Sequence, residues 1–298
     1  MGRHRARQRA LRAPALTVAL ATCAGVPDLD EDGPALVAAL REHGVEARAG
    51  VWDDPVVDWD ACELVVLRST WDYAERREDF LDWIDRLPHV LNAPDVVRWN
   101  TDKRYLDELA AARLPVVPTR FLEPGDPLEP PSERFVVKPA ISAGGRNAAS
   151  YEAHELELAR RHLEALHTAR RAVMVQPYLE GVDVVGETAL IWLGGEYSHA
   201  VTKSALLRRG QRPGSELYLE ETIAARAASP EELAVGTRVL AALPFDPATL
   251  LYARIDLLPM PEGPVVLEVE LTEPSLFLSY DASAAARLAQ AISRRLAP

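Results

Sequence analysis

Apolar residues recur with two different periods along this chain, and the switches between them mark out its elements. Short alternating or continuous apolar runs indicate strands, whereas apolar residues three and four apart indicate helices. LTVALAT (16–22) reads as a strand, PALVAALREHG (34–44) as a helix closed by Gly44, and VEARAGVW (45–52) as a second strand. ELVVLRST (63–70) has the Val and Leu content of a strand buried on both faces. REDFLDWIDRL (77–87) repeats at helical spacing, and VLNAPDVV reads as strand and turn. This alternation predicts a parallel sheet covered by helices.

After Asn100 the pattern changes. TDKRYLDELAAARL (101–114) predicts a helix capped by Thr101, followed by PVVPTRFL and an exposed proline-rich connection, EPGDPLEPPSE (123–133). FVVKPA (135–140) is a strand that runs into the small-residue loop SAGGRNAA. HELELARRHLEAL (154–166) predicts a helix and AVMVQPYL (172–179) a strand. ETALIWLGGEYSHAVTK (187–203) predicts two strands joined at Gly194-Gly195. LLYARIDLLPM and GPVVLEVEL (250–271) predict a further pair, and ASAAARLAQAISRRLA a closing helix.

With 298 residues the chain can hold two or three modules with substantial cores. Its 48% hydrophobic and 26% charged residues are ordinary for a soluble enzyme. A net charge of −12 argues against nucleic-acid partners, while leaving room for a local basic groove around a small anion. Cys23 and Cys62 are too few for a disulfide framework or a zinc site. Both lie in apolar stretches and read as buried free thiols, which fits a reducing cytoplasm. Residues 1–12 carry five arginines and no acid, and the uncharged run behind them has the look of a signal peptide. The alternation of LTVALATC favours instead a first strand behind a basic tail of residues 1–13. No apolar run reaches the roughly 18 residues a membrane span needs.

The candidate chemistry begins near the end of the chain. Asp256 stands in the apolar strand ARIDLL, and Glu268 and Glu270 stand in VLEVEL. Residues two apart in a strand face the same side, so Glu268 and Glu270 project together and Arg254 shares a face with Asp256. Neighbouring buried carboxylates repel unless a cation lies between them, and oxygen-only ligands suit magnesium. The plainer alternative is a hairpin with one wet face and solvated acids. In FVVKPAISAGGRNA, a strand-end lysine, Lys138, precedes Gly144 and Gly145, and charge plus backbone N–H groups can hold a phosphate there. The spacing is neither that of the P-loop nor that of the dinucleotide fingerprint. A strand-end lysine can equally be a solvated edge.

Taken in order, TDK(103), VVK(138)PAISAGG, VQPYLEGVD(183), VTK(203), ARID(256) and LEVE(270) resemble the ATP-grasp ligases, a family that includes D-alanine–D-alanine ligase and glutathione synthetase. The resemblance covers roughly residues 100–298. Within the family, RSTWDYAERREDFLDWI, WNTDKRYL and LEVELTEPSLFL look most like the O-ureido-serine cyclo-ligases of D-cycloserine biosynthesis. It implies an α/β (α+β) ATP-grasp fold, with a Rossmann-like N-terminal domain (14–99), a central subdomain (100–179) and a C-terminal subdomain (180–298). ATP would lie between the last two. By the same resemblance Lys103 and Lys138 contact phosphates, Lys138 also reaching the adenine edge, and Ser142, Gly144 and Gly145 form the phosphate loop. Gln176, Pro177, Tyr178 and Leu179 surround the adenine, and Asp183 takes the ribose. Lys203 and Arg254 stabilise the transferring phosphoryl group, and Asp256, Glu268 and Glu270 hold Mg2+. Many relatives have Asn at the place of Glu270, so this chain carries an extra negative charge there. The phosphate loop also lacks a serine pair that some relatives use.

Such a ligase converts a carboxylate to an acylphosphate, whose leaving group is phosphate, and a nitrogen then attacks the acyl carbon. The strand end Arg68, Ser69, Thr70, Trp71, Asp72 and Tyr73 is where an open α/β sheet places ligand contacts, and it is the candidate site for a small amino-acid-derived substrate. A turn leading into the next helix explains the same residues equally well. Two other functions compete: an intermolecular peptide or amide ligase on the same fold, and a nucleotide-binding protein without catalysis. The intact set of lysines and acids argues against the second. The sequence leaves open a monomer or a homo-oligomer.

Overall fold

The N-terminal strands form as their patterning requires. β1 (Thr17–Thr22), β2 (Glu46–Val51), β3 (Leu64–Ser69) and β4 (Val90–Leu91) pair in parallel in the order β2-β1-β3-β4. β3 is buried along its whole length, as a central parallel strand covered on both faces must be. α1 (Gly33–Glu42) ends just before Gly44, whose φ of +73° is the left-handed conformation that closes a helix without a Cβ penalty. The computed structural model describes residues 17–205, Leu207, Gly214, Leu217 and residues 221–296. The basic tail of residues 1–13 lies outside the described residues.

Two expectations after β3 need correction. VLNAPDVV begins with the expected strand, β4, but continues into α3 (Pro94–Asn100) rather than a turn, with Pro94 at the first helical position, where no N–H is missed. Thr101 follows α3 and caps nothing downstream; α4 begins only at Tyr105 (Tyr105–Ala111). The proline-rich connection is irregular as expected. A second sheet holds β5 (Arg120–Leu122), β6 (Phe135–Pro139), β7 (Ala149–Tyr151) and β8 (Val173–Pro177), antiparallel in the order β5-β8-β6-β7. α5 (Leu156–Thr168) covers it through Ala159, Leu163 and Leu166.

The third sheet is the largest. β9 (Glu187–Leu193) and β10 (Glu196–Lys203) form the hairpin around Gly194 and Gly195, both at positive φ. β11 (Ile223–Arg226), β12 (Tyr252–Leu258) and β13 (Val265–Glu270) complete the order β11-β10-β9-β12-β13. β9 and β12 are buried throughout and form its centre. A short α6 (Gly181–Val185) precedes β9, and α7 (Pro230–Ala242) packs on this sheet. α7 opens with a reciprocal cap in which Ser229 Oγ accepts from Glu232 N and Glu232 accepts from Ser229 N.

The cores cross the sequence. Val18, Leu36, Leu40 and Val66 pack with Ile191, Leu193, Leu288 and Ile292, so α8 (Ala284–Leu296) lies against the N-terminal layer. Burying each such side chain is worth about 1.5–3 kcal/mol. Tyr105, Leu106 and Leu109 of α4 pack on Leu190, Trp192 and Val269. The N-terminal sheet and the third sheet are therefore locked together, and a cavity opens where all three sheets meet.

Candidate active site

The cavity has a volume of about 600 Å³, within the usual range for small-molecule sites. β6 brings Lys138 to it, the loop after β6 brings Ser142, Gly144 and Gly145, and β8 brings Gln176, Pro177, Tyr178 and Leu179. β10 contributes Lys203, β12 Arg254 and Asp256, and β13 Glu268 and Glu270, while Lys103 arrives from the turn before α4. Gly144 and Gly145 take φ of +61° and +71°, a pair of left-handed positions that L side chains rarely adopt. Successive N–H groups turned this way form an anion-binding concavity.

Register explains the charged cluster. Across β12 and β13, Arg254 is opposite Glu270 and Asp256 opposite Glu268, and across β9 and β10 Lys203 is opposite Glu187. Arg254 Nε and Nη2 donate to the two Asp256 oxygens, each at 2.9 Å, and Nη2 also meets Glu270. Lys203 Nζ lies 2.8 Å from Asp256 Oδ2 and 2.9 Å from Glu187 Oε2. Lys103 Nζ lies 3.0 Å from Glu268 Oε1 and donates to Ser142 O at 2.7 Å. Lys138 differs. It is half-buried and makes no side-chain hydrogen bond or ion pair among the described residues.

The titrations follow from these neighbours. Burial works against the Asp256 carboxylate, but Arg254 and Lys203 outweigh it and bring its pKa down to about 2. For Glu268, too, burial is outweighed by Lys103 and Lys138, and its pKa falls below the usual carboxylate value. Glu270 goes the other way. Burial, with Glu268 and Asp256 adding to it and Arg254 opposing, lifts it to about 7. Lys138 is pushed below the ordinary lysine value by burial, and Lys103 and Lys203 add to that push. For Lys103, Glu268 and Glu270 outweigh burial and raise it.

No three His, Cys, Asp or Glu residues converge as a ready metal shell among the described residues. Asp256, Glu268 and Glu270 are instead spaced along two strands and each is paired with a lysine or arginine. Carboxylate oxygens in this arrangement fit a cation that takes the rest of its shell from phosphate and water, as Mg2+ does.

Five candidates stand away from the cavity, and all but Thr70 have a side-chain partner elsewhere. Arg68 is 1% exposed and faces Asp30 and Asp32 at 3.7 and 3.5 Å, which removes it as a free carboxylate anchor. Ser69 Oγ pairs with Thr22 Oγ1, and the Thr70 hydroxyl is buried without a partner. Asp72 accepts from Trp52 Nε1 and Arg76 Nη2. Asp183 accepts from Tyr178 Oη and lies 3.5 Å from Arg134 Nη1, because α6 turns it away. Trp71 and Tyr73 do form the cavity wall on the N-terminal side. The sequence reading passed over Asp30, Asn100, Glu187, Glu221 and Glu273, all of which line it. Glu187 was the most legible of them, since it begins an apolar strand two residues from no other charge. Cys23 and Cys62 are free and buried, and no helix among the described residues is long and apolar enough to cross a membrane.

Comparison with known proteins agrees with this geometry. Residues 18–92 match the N-terminal domain of D-cycloserine synthetase DcsG. The chain is 38% identical over 301 residues to the cycloserine biosynthesis protein DcsG of Streptomyces lavendulae, covering 94% of this chain and 99% of that one. It is similar to the crystal structure of D-cycloserine synthetase DcsG, with a TM-score of 0.85, 36% identity and coverage of 94% and 100% of the two chains. D-alanine–D-alanine ligase from Bacillus anthracis, solved with ATP, shares the fold at a TM-score of 0.66 and 14% identity, over 95% and 97% of the two chains. The chain therefore belongs to the D-cycloserine synthetase family and is an ATP-grasp carbon–nitrogen ligase.

Proposed function

We propose that the enzyme binds ATP with magnesium in this cavity and uses it to activate the carboxylate of one small amino-acid-derived substrate, which then cyclises. The candidate substrate is O-ureido-D-serine and the product D-cycloserine, with the carbamoyl group on the attacking nitrogen lost to water as carbon dioxide and ammonia. The observation that carries the reading is the company Lys138 keeps. A lysine in no hydrogen bond or ion pair among the described residues, beside two left-handed glycines, lines one cavity with three carboxylates and feels Glu268 only at longer range.

In this reading Lys138, Lys103 and the Gly144–Gly145 loop take the phosphates, and Gln176 to Leu179 border the adenine. Glu187 replaces Asp183 as the acid placed for the ribose, since it lines the cavity and Asp183 does not. Lys203 and Arg254 give charge to the transferring phosphoryl group. Asp256, Glu268 and Glu270 would hold magnesium, which when bound neutralises phosphate charge. Phosphate binding offers Lys103 and Lys203 a new anion, which frees Glu268 and Asp256 for the metal. The substrate lies against Trp71 and Tyr73 with its carboxylate toward Arg254. Positioning and fixed charge supply most of the catalysis in such a transfer.

The likeness over the whole chain to D-cycloserine synthetase DcsG supports cyclisation over joining two substrates. We place the functional units at residues 14–99, 100–179 and 180–298. The buried free thiols support a reducing, cytoplasmic setting. The test supplies O-ureido-serine as sole substrate with magnesium-ATP and follows ADP and cyclic product. ADP that appears only after a second amine is added contradicts the cyclising reading.

A further inference from the structure

Glu273 stands in the turn after β13, where side chains from elsewhere hold nearly every backbone group. Tyr252 Oη donates to Thr272 O at 2.8 Å, Trp71 Nε1 to Glu273 O at 3.2 Å and Arg68 Nη2 to Pro274 O at 3.2 Å. Arg254 Nη1 donates to Ser275 O at 3.1 Å, and Leu276 N donates to Asp32 Oδ2 at 2.7 Å. The turn is thus fixed from the N-terminal sheet and from β12 together. The Glu273 carboxyl is not fixed at all. The residue is 8% exposed, lines the cavity, and makes no side-chain hydrogen bond or ion pair among the described residues. A buried carboxyl costs free energy unless a partner returns it, and this turn cannot retreat to water.

Its position says what the partner is. Glu273 lines the cavity with Trp71 and Tyr73, where the substrate body would rest, and with Glu268 and Glu270, where the phosphoryl group would arrive. Its turn follows β13 directly and accepts from Trp71 Nε1. A substrate nitrogen folded back on its own acyl carbon lies where the substrate body and the phosphoryl group meet. Burial, and after it the Glu270 charge, push the Glu273 carboxyl up to about 8; Glu268 adds to this, and Lys103 and Arg254 oppose it. Tyr73 and Tyr252 are the other titratable groups that sense its charge.

We propose that Glu273 accepts the proton that the attacking nitrogen gives up as the carbon–nitrogen bond forms. The inference rests on the carboxylate-activating reading above. The nitrogen lone pair makes the new bond while the carbonyl π pair moves to oxygen. That pair returns as the acyl C–O bond breaks, and phosphate departs with the bonding electrons. The N–H proton passes to a Glu273 oxygen and later leaves to phosphate or water. The ring nitrogen still carries the substrate's carbamoyl group; water adds to that carbonyl carbon, the carbon–nitrogen bond breaks with a proton going to the nitrogen, and the carbamate released falls to carbon dioxide and ammonia. A carboxylate of raised pKa is the stronger base for this task.

The test is Glu273→Gln, which keeps the shape and removes the base. With O-ureido-serine and magnesium-ATP, the variant should keep its ATP affinity and its first turnover of ADP. Cyclic product should fall by about 10²–10⁴-fold, the usual contribution of a positioned base. Added hydroxylamine should then trap the waiting acylphosphate as a hydroxamate, and Glu273→Asp should restore part of the product rate. If the first-turnover burst of ADP is lost together with product, or product is unchanged, or ATP affinity is lost, Glu273 has another role and the inference fails. If the wild-type chain makes no cyclic product, the functional reading itself fails and takes this inference with it.

Discussion

Replacing Lys138 with Met separates a lysine that holds a ligand from lysines that hold the fold. Lys103 and Lys203 each sit within 3.0 Å of a carboxylate, whereas Lys138 makes no ion pair or side-chain hydrogen bond among the described residues and feels Glu268 only at longer range. Met keeps most of the apolar stem and removes the charge. The ligand-free variant should melt no lower than wild type, because a partly desolvated, unpaired ammonium has been taken away. ATP should lose one charged hydrogen-bond donor, worth about 1.5–3 kcal/mol, or about 10- to 150-fold in Kd at 1.4 kcal/mol per decade. Lys103→Met is the matched control. It strands Glu268 beside Glu270 and should destabilise the ligand-free protein by about 3–5 kcal/mol, as breaking a buried pair does. Calorimetric titration with ATP and thermal melts on both variants make the comparison. Unchanged ATP affinity in Lys138→Met would remove the phosphate site from this cavity. A melting loss matching that of Lys103→Met would show that Lys138 has a structural partner.

Arg254→Ala should cost about 2.7–4 kcal/mol of barrier, the typical loss of one preorganised charge, and near wild-type turnover would move phosphoryl transfer elsewhere. Glu187→Gln should weaken ATP binding while Asp183→Asn leaves it within twofold of wild type (roughly 0.4 kcal/mol); calorimetry giving the reverse order would restore Asp183 to the ribose. His162 is buried, its ring nitrogens make no full hydrogen bond although the Asn147 backbone is near, and burial lowers its pKa from 6.5 to about 4. Below pH 6.5 the unfolded chain takes up a proton that the folded chain refuses until about pH 4. Stability therefore drops as pH falls through that window, by about 2 kcal/mol from this group between pH 7 and 5. His162→Phe should be as stable as wild type at pH 7 and should lack that part of the acid loss. Parallel urea-midpoint profiles for the two proteins would contradict this.

What the sequence shows of the site depends on how far each residue's placement is local. Arg254, Asp256, Glu268 and Glu270 were legible because a strand's period of two sets their faces, and antiparallel pairing then puts Arg254 opposite Glu270. Lys138 was legible as a strand end before two glycines. Arg68 was not, because its partners Asp30 and Asp32 lie in a loop whose path no local pattern specifies. Asp183 does not line the cavity for a similar reason: it lies on the one turn of helix, Gly181–Val185, that precedes β9, whereas Glu187 at the start of β9 lines it. α7 carried a readable start in Ser229, Pro230 and Glu232, yet its apolar periodicity is weak beside those signals. Glu273 is the extreme case, since its turn is set by hydrogen bonds from residues as distant as Asp32 and Arg68.

The most direct test of the central claim follows oxygen. O-ureido-serine labelled with 18O in its carboxylate is supplied as sole substrate with magnesium-ATP. The account predicts ADP, cyclic product and phosphate in equal amounts, with one 18O in each phosphate, because the acyl C–O bond breaks on the substrate's side. Unlabelled phosphate, or no ADP until a second amine is present, would contradict it.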